Sequence, residues 1–152
     1  MSYMRKKQIL NILIVCSVYV VSGLAKAVET DPIVGTWLTV DDETKQPTSH
    51  VKVSIANNKL DAVVVKLLDN PDAMCSLCTD YRKNQPVLGM KIIAGLTKKS
   101  QNEWGDGEIL DPDNGKTYRV SLRLDNSKLI VRGYVGISLF GREQIWTKIS
   151  KE

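Results

Sequence analysis

The chain carries one histidine, one phenylalanine and three cysteines among 152 residues, and each scarcity closes off chemistry. With His50 as the sole imidazole, most hydrolase mechanisms lack the base they set beside a nucleophile. His50 starts a strand on its polar face, which reads as a solvated side chain. Ser138 sits in Gly136-Ile137-Ser138-Leu139-Phe140-Gly141, where the second glycine falls one place too late for a nucleophile elbow. No apolar run reaches the ~18–20 residues a membrane-spanning helix needs. The longest, residues 9–21, has 13 positions and includes Asn11, Cys16 and Ser17. Internal repeats, low-complexity tracts and long amphipathic helices are missing as well.

What the N-terminus does have is the layout of an export signal. Arg5, Lys6 and Lys7 form a basic head, the apolar run follows, and Ala25-Lys26-Ala27 supplies the small-x-small pattern cut by a signal peptidase. Residues 1–27 therefore read as a cleaved signal peptide and 28–152 as a single domain beginning at Val28. The rival reading is an uncleaved anchor, for which the run is short. Cys16 as a lipidation site would need a small residue before it, and Val15 stands there.

Removing the leader changes the composition. The formal net charge of +4 belongs to Arg5, Lys6, Lys7 and Lys26; without them 17 of the 21 basic residues face 17 acidic ones. A neutral domain has no electrostatic footprint for nucleic acid or an anionic membrane surface. Cys16 leaves too, so Cys75 and Cys78 remain, and in an oxidising compartment they are expected to form a disulfide. Two cysteines and one histidine fall short of the four ligands of a structural zinc site. No cofactor is expected, and the domain is expected in the periplasm or outside the cell, without integral membrane association.

Periodicity in the domain is two, the period of half-buried strands. In 117–124, Tyr118, Val120, Leu122 and Leu124 point one way and Thr117, Arg119, Ser121 and Arg123 the other. Val51, Val53 and Ile55 alternate with His50, Lys52 and Ser54 in the same manner. Further strands are expected over 36–40, 60–67, 91–96, 104–110, 129–134 and 142–149, making eight. Asp111-Pro112-Asp113-Asn114-Gly115-Lys116, Asp125-Asn126-Ser127-Lys128 and Asn57-Asn58 carry turn chemistry between them. Residues 135–140 suit one short helical turn or a bent crossover. Eight short antiparallel strands favour closure, which removes unpaired edges; a two-sheet sandwich is the alternative.

Gly35-x-Trp37 at the first strand and Gly141-Arg142…Trp146-Thr147-Lys148 at the last resemble the lipocalin superfamily, in which a cation ending the last strand covers a Trp in the first. The wider set is similar to a bacterial secreted family known as domain of unknown function, family 2147. Its residues are Gly35-Thr36-Trp37, Cys75-Ser76-Leu77-Cys78, Pro86-Val87-Leu88-Gly89-Met90, Trp104-Gly105-Asp106-Gly107, Asp111-Pro112 through Tyr118, Arg132-Gly133 and the closing strand. The resemblance implies an all-β, eight-stranded antiparallel up-and-down barrel of lipocalin type and implies no activity, because fold does not fix function. It also implies a clamp of Lys148 over Trp37. The family usually has Arg at that position, and Lys gives up planar stacking.

The remaining candidates are weighed on residue chemistry. Cys75 and Cys78 lie in the longest stretch without clear periodicity, residues 69–89, and read as a staple; a redox pair would sit at a helix start in a βαβ frame. Glu103, Asp106, Glu108, Asp111 and Asp113 invite a calcium or glycosidase reading. The stretch from Asp111 lacks the third spaced oxygen and has Leu122 where an EF-type loop needs Glu. Trp104, Tyr118, Val120, Leu122, Tyr134 and Trp146 are the candidate lining of an interior cavity, which they either border or fill. The expected function is non-enzymatic binding of a small apolar or amphipathic ligand inside the barrel. The alternatives are an envelope protein-interaction module with a filled barrel and, behind it, a thiol–disulfide oxidoreductase.

Overall fold

The computed structural model describes residues 30–137, 139 and 141–150; the leader, Cys16 and Ser138 lie outside them. Eight strands follow one another: β1 (Gly35–Val40), β2 (Pro47–Ala56), β3 (Lys59–Leu67), β4 (Lys91–Ser100), β5 (Glu103–Asp111), β6 (Lys116–Asp125), β7 (Lys128–Tyr134) and β8 (Arg142–Lys148). Each pairs with its sequence neighbour, and β8 returns to β1 to close the barrel. The sandwich alternative is thereby set aside. Closure rests on Trp37 opposite Lys148 and Leu38 opposite Thr147. Among the described residues no helix is long and apolar enough to cross a membrane.

The alternation that predicts the strands also sorts their faces. Val51 and Val53 of β2 are fully buried while Lys52 and Ser54 are exposed. Val120 and Leu122 of β6 are buried and Arg119 and Arg123 are exposed. Inward residues from all eight strands meet in one core, where each fully buried Val or Leu side chain contributes about 1.5–3 kcal/mol. His50 stands on the outward face of β2, half-exposed.

Local chemistry sets the turns. Asn57 and Asn58 both take positive φ, 51° and 60°, the two-residue geometry whose twist matches a β-hairpin. Gly115 ends the β5–β6 turn at φ 68°. A bulge between Thr39 and Val40 on β1 faces Ser49 and Pro47 on β2, leaving Thr48 as the extra, unpaired residue.

One end of the barrel is closed by packing. Trp37 is fully buried, and its Nε1 donates to the carbonyl of Ile33 at 2.9 Å. Lys148 Nζ lies 5.4 Å from the ring centre and donates to the Pro32 carbonyl at 2.5 Å. Leu60, Leu96, Leu122 and the β-branched Val53 are buried in the same core cluster as Trp37.

Candidate functional site

The β1–β2, β3–β4, β5–β6 and β7–β8 connections gather at the opposite end, around a cavity of about 720 Å³. Its deep wall is apolar: Val64, Ile92, Leu110, Val131 and Trp146 all face it, and each is at least nine-tenths buried. Thr39, Thr48, Ser49 and Gln144 form a polar strip on the β1–β2–β8 side. Asp41, Asp42, Asp69, Asp111 and Asp113 stand at the mouth with Arg142.

Residues 68–90, between β3 and β4, build part of the wall. The Cys75–Cys78 disulfide closes a tight turn within them, with a Cα–Cα distance of 5.4 Å. Cys75 N–H donates to Gln85 O at 2.9 Å, Asn84 N–H donates to Cys75 O at 3.0 Å, and Met74 bridges to Pro86. Both cysteines are buried. The stapled turn lies against the β5–β6 hairpin: a Cβ on Gly115 would meet the Leu77 carbonyl oxygen at 2.1 Å. Ala73 and Val87 then reach the cavity from this segment.

Polar groups at the site are tied into short networks. Trp146 Nε1 donates to Gln144 Oε1 at 3.0 Å, and Gln144 Nε2 donates to Asp42 Oδ2 at 3.0 Å. Arg142 forms an ion pair with the same Asp42 oxygen. Asp41 is held below the usual carboxylate range by the backbone N–H and then the hydroxyl of Thr44. Asp113 behaves in the opposite way. Partial burial, followed by the charges of Asp111, Asp69 and Asp41, pushes its carboxyl upward. Among the described residues no three Cys, His, Asp or Glu side chains are grouped to hold a metal ion.

Of the aromatic and apolar residues the sequence suggests as lining, Tyr118, Tyr134 and Trp146 border the cavity. Trp104, Val120 and Leu122 do not. They are buried in the packed region nearer the closed end, where Trp104 pairs with Leu122 across β5 and β6 and lies under Lys98 at 5.4 Å. Alternation reports which face is inward, but it does not report depth along the barrel axis. Thr39, Thr48, Ser49 and Gln144 are not among the sequence candidates. Thr39 and Ser49 do share the inward parity of Trp37 and Val51, and Gln144 that of Trp146, which is the signal that flags three of them. Thr48 is turned inward by the bulge. Glu103, Asp106 and Glu108 lie on β5 away from the cavity, and only Asp111 and Asp113 of that acidic group reach the mouth.

A family model described as "Uncharacterized protein conserved in bacteria (DUF2147)" matches residues 35–148. Among solved structures, a Helicobacter pylori protein described as belonging to the lipocalin family is similar at a TM-score of 0.71 and 20% identity. The match covers 80% of this chain and 85% of that one. At this identity the likeness is one of fold. No curated protein matches the chain.

Proposed function

We propose that this chain, which belongs to that uncharacterized bacterial family, is an exported, non-enzymatic binding protein that holds one small amphipathic molecule in its barrel. The observation that carries this is the cavity itself. Its volume of about 720 Å³ falls within the ~300–1,000 Å³ of small-molecule sites, which are mostly apolar with a few placed polar groups. Burying the apolar part of a ligand against Val64, Ile92, Val131 and Trp146 supplies the driving force, at roughly 25 cal/mol per Å². The stapled segment 68–90 adds a fixed wall, so little ordering is needed on binding.

Export rests on the N-terminal leader pattern and fits the Cys75–Cys78 disulfide, since such bonds persist in oxidising compartments. We read the disulfide as structural, because a thiol in exchange chemistry needs an accessible thiolate and both cysteines are buried. Native mass spectrometry of the protein purified from its host envelope tests the binding function. A bound small molecule released by organic extraction supports it, and a protein that carries none and takes up no lipid sinks it.

One observation favours a second reading, an interaction module. Val135, Ile137 and Leu139 in the β7–β8 connection are 75%, 60% and 78% exposed, more apolar surface than a loop tip needs. Crosslinking in the envelope separates the two: a carrier retains no specific protein partner, and a module does.

A further inference from the structure

The polar strip of the cavity has more hydrogen-bond donors than the protein can use. Thr39 Oγ1 lies 2.8 Å from Thr48 Oγ1 and 2.7 Å from Ser49 Oγ, accepts the Ser49 backbone N–H at 3.1 Å, and lies 3.3 Å from the Ser49 carbonyl. A hydroxyl offers one proton and two lone pairs. The Ser49 N–H occupies one lone pair of Thr39, which leaves room to accept from one neighbouring hydroxyl and to donate once. Whichever way the three protons are arranged, either Thr48 or Ser49 keeps an O–H with no acceptor among the described residues. Thr39 and Ser49 are only 6% and 9% exposed, and all three border the cavity.

This cluster is a product of the backbone. In a regular strand Thr48 and Ser49 would point to opposite faces. The bulge opposite Thr39 and Val40 turns both toward the same hydroxyl, and bulges recur where a side chain has to be re-aimed. The cluster sits one inward step above Trp37 and Val51, inside the cavity rather than at its rim. At the rim the charge is one-sided. Five aspartates border the cavity, and its one cation among the described residues, Arg142, is already paired with Asp42. An anionic head group would have to rest among these carboxylates.

Building on the binding function proposed above, we propose that the cavity selects an uncharged amphiphile whose carbonyl or ester oxygen accepts the spare hydroxyl proton of the Thr39–Thr48–Ser49 cluster. A plain alkane fills the apolar wall but leaves that donor unmet, and a fatty carboxylate meets it but brings a negative charge into a cavity bordered by five aspartates.

The test is displacement of a neutral fluorescent probe, N-phenyl-1-naphthylamine, from the purified full-length mature protein by methyl laurate, dodecane and laurate. Methyl laurate is expected to bind about tenfold more tightly than either of the others, the factor one hydrogen bond supplies. Thr48→Val and Ser49→Ala, checked for native melting, should each bring the ester-to-alkane ratio close to one, because the hydroxyl that remains then donates to Thr39 and Thr39 to the residue 49 carbonyl. Equal affinity for all three ligands overturns the selectivity and leaves the binding function standing, as does an ester advantage that survives both substitutions. Failure of the probe and every ligand to bind overturns both.

Discussion

Lys148 Nζ stands 5.4 Å from the centre of the Trp37 ring, across the seam where the last strand meets the first. The same ammonium donates to the Pro32 carbonyl, so one side chain ties together β8, β1 and the segment leading into β1. The approach depends on Gly35, whose φ is +145° and where a Cβ would meet Lys148 Cε at 3.0 Å. A cation over an indole face is worth about 0.5–1 kcal/mol at a partly exposed site. Lys148→Gln is therefore expected to lower the melting temperature by roughly 2–4 °C, while Lys148→Arg, which stacks more fully on an aromatic face, should hold or raise it. Thermal melts followed by circular dichroism decide this, and a Gln variant as stable as the parent would remove the clamp from the account.

The stapled wall of the cavity depends on a contact remote in sequence. Gly115 has φ +68° and no room for a Cβ against the Leu77 carbonyl, so Gly115→Ala is expected to lift residues 68–90 off the β5–β6 hairpin. Faster amide exchange in 68–90, with β2 and β7 still protected, is the expected outcome. Replacing Cys75 and Cys78 with Ala should cost about 2 kcal/mol, the loop-closure value for so short a loop. A Gly115→Ala protein with unchanged exchange in that segment would show that the contact does not hold the wall.

Asp113 gives the mouth a pH dependence. Its carboxyl pKa is raised in the folded state by burial and by Asp111, Asp69 and Asp41, so the folded protein holds that proton more tightly than the unfolded chain does. The cost of ionising it is absent below the unfolded Asp value of about 3.9 and is fully present once the pH has risen through the higher folded value. Asp113→Asn is thus expected to stabilise the protein near neutral pH, by no more than a few tenths of a kcal/mol at so solvent-screened a site. The gain should vanish near pH 3. Denaturant melts across that range check it; a variant equally stabilised at both ends would point to packing instead of charge.

Much of the barrel is legible in the residues. Tyr118, Val120 and Leu122 alternate with Arg119, Ser121 and Arg123 because one face of β6 must be dry, and Asn57-Asn58 marks a turn because both residues tolerate positive φ. The site is less legible because depth and irregularity carry no period. Leu122 and Trp146 share an inward parity, yet only Trp146 reaches the cavity. Thr48 reads as outward until the bulge turns it. Residues 69–89 stand out as a long stretch without alternation, but their docking on Gly115 joins positions that no local pattern connects.

Trp146 lines the cavity, whereas Trp37 and Trp104 lie outside it, so tryptophan emission can locate a ligand. The most direct test uses a variant carrying Trp37→Phe and Trp104→Phe, which keeps Trp146 as its only indole, titrated with a bromine-labelled neutral amphiphile. Binding in the barrel predicts saturable quenching of Trp146 and little quenching of a matching variant that keeps Trp104 alone. No quenching of Trp146, or equal quenching of both, would contradict a ligand-holding barrel.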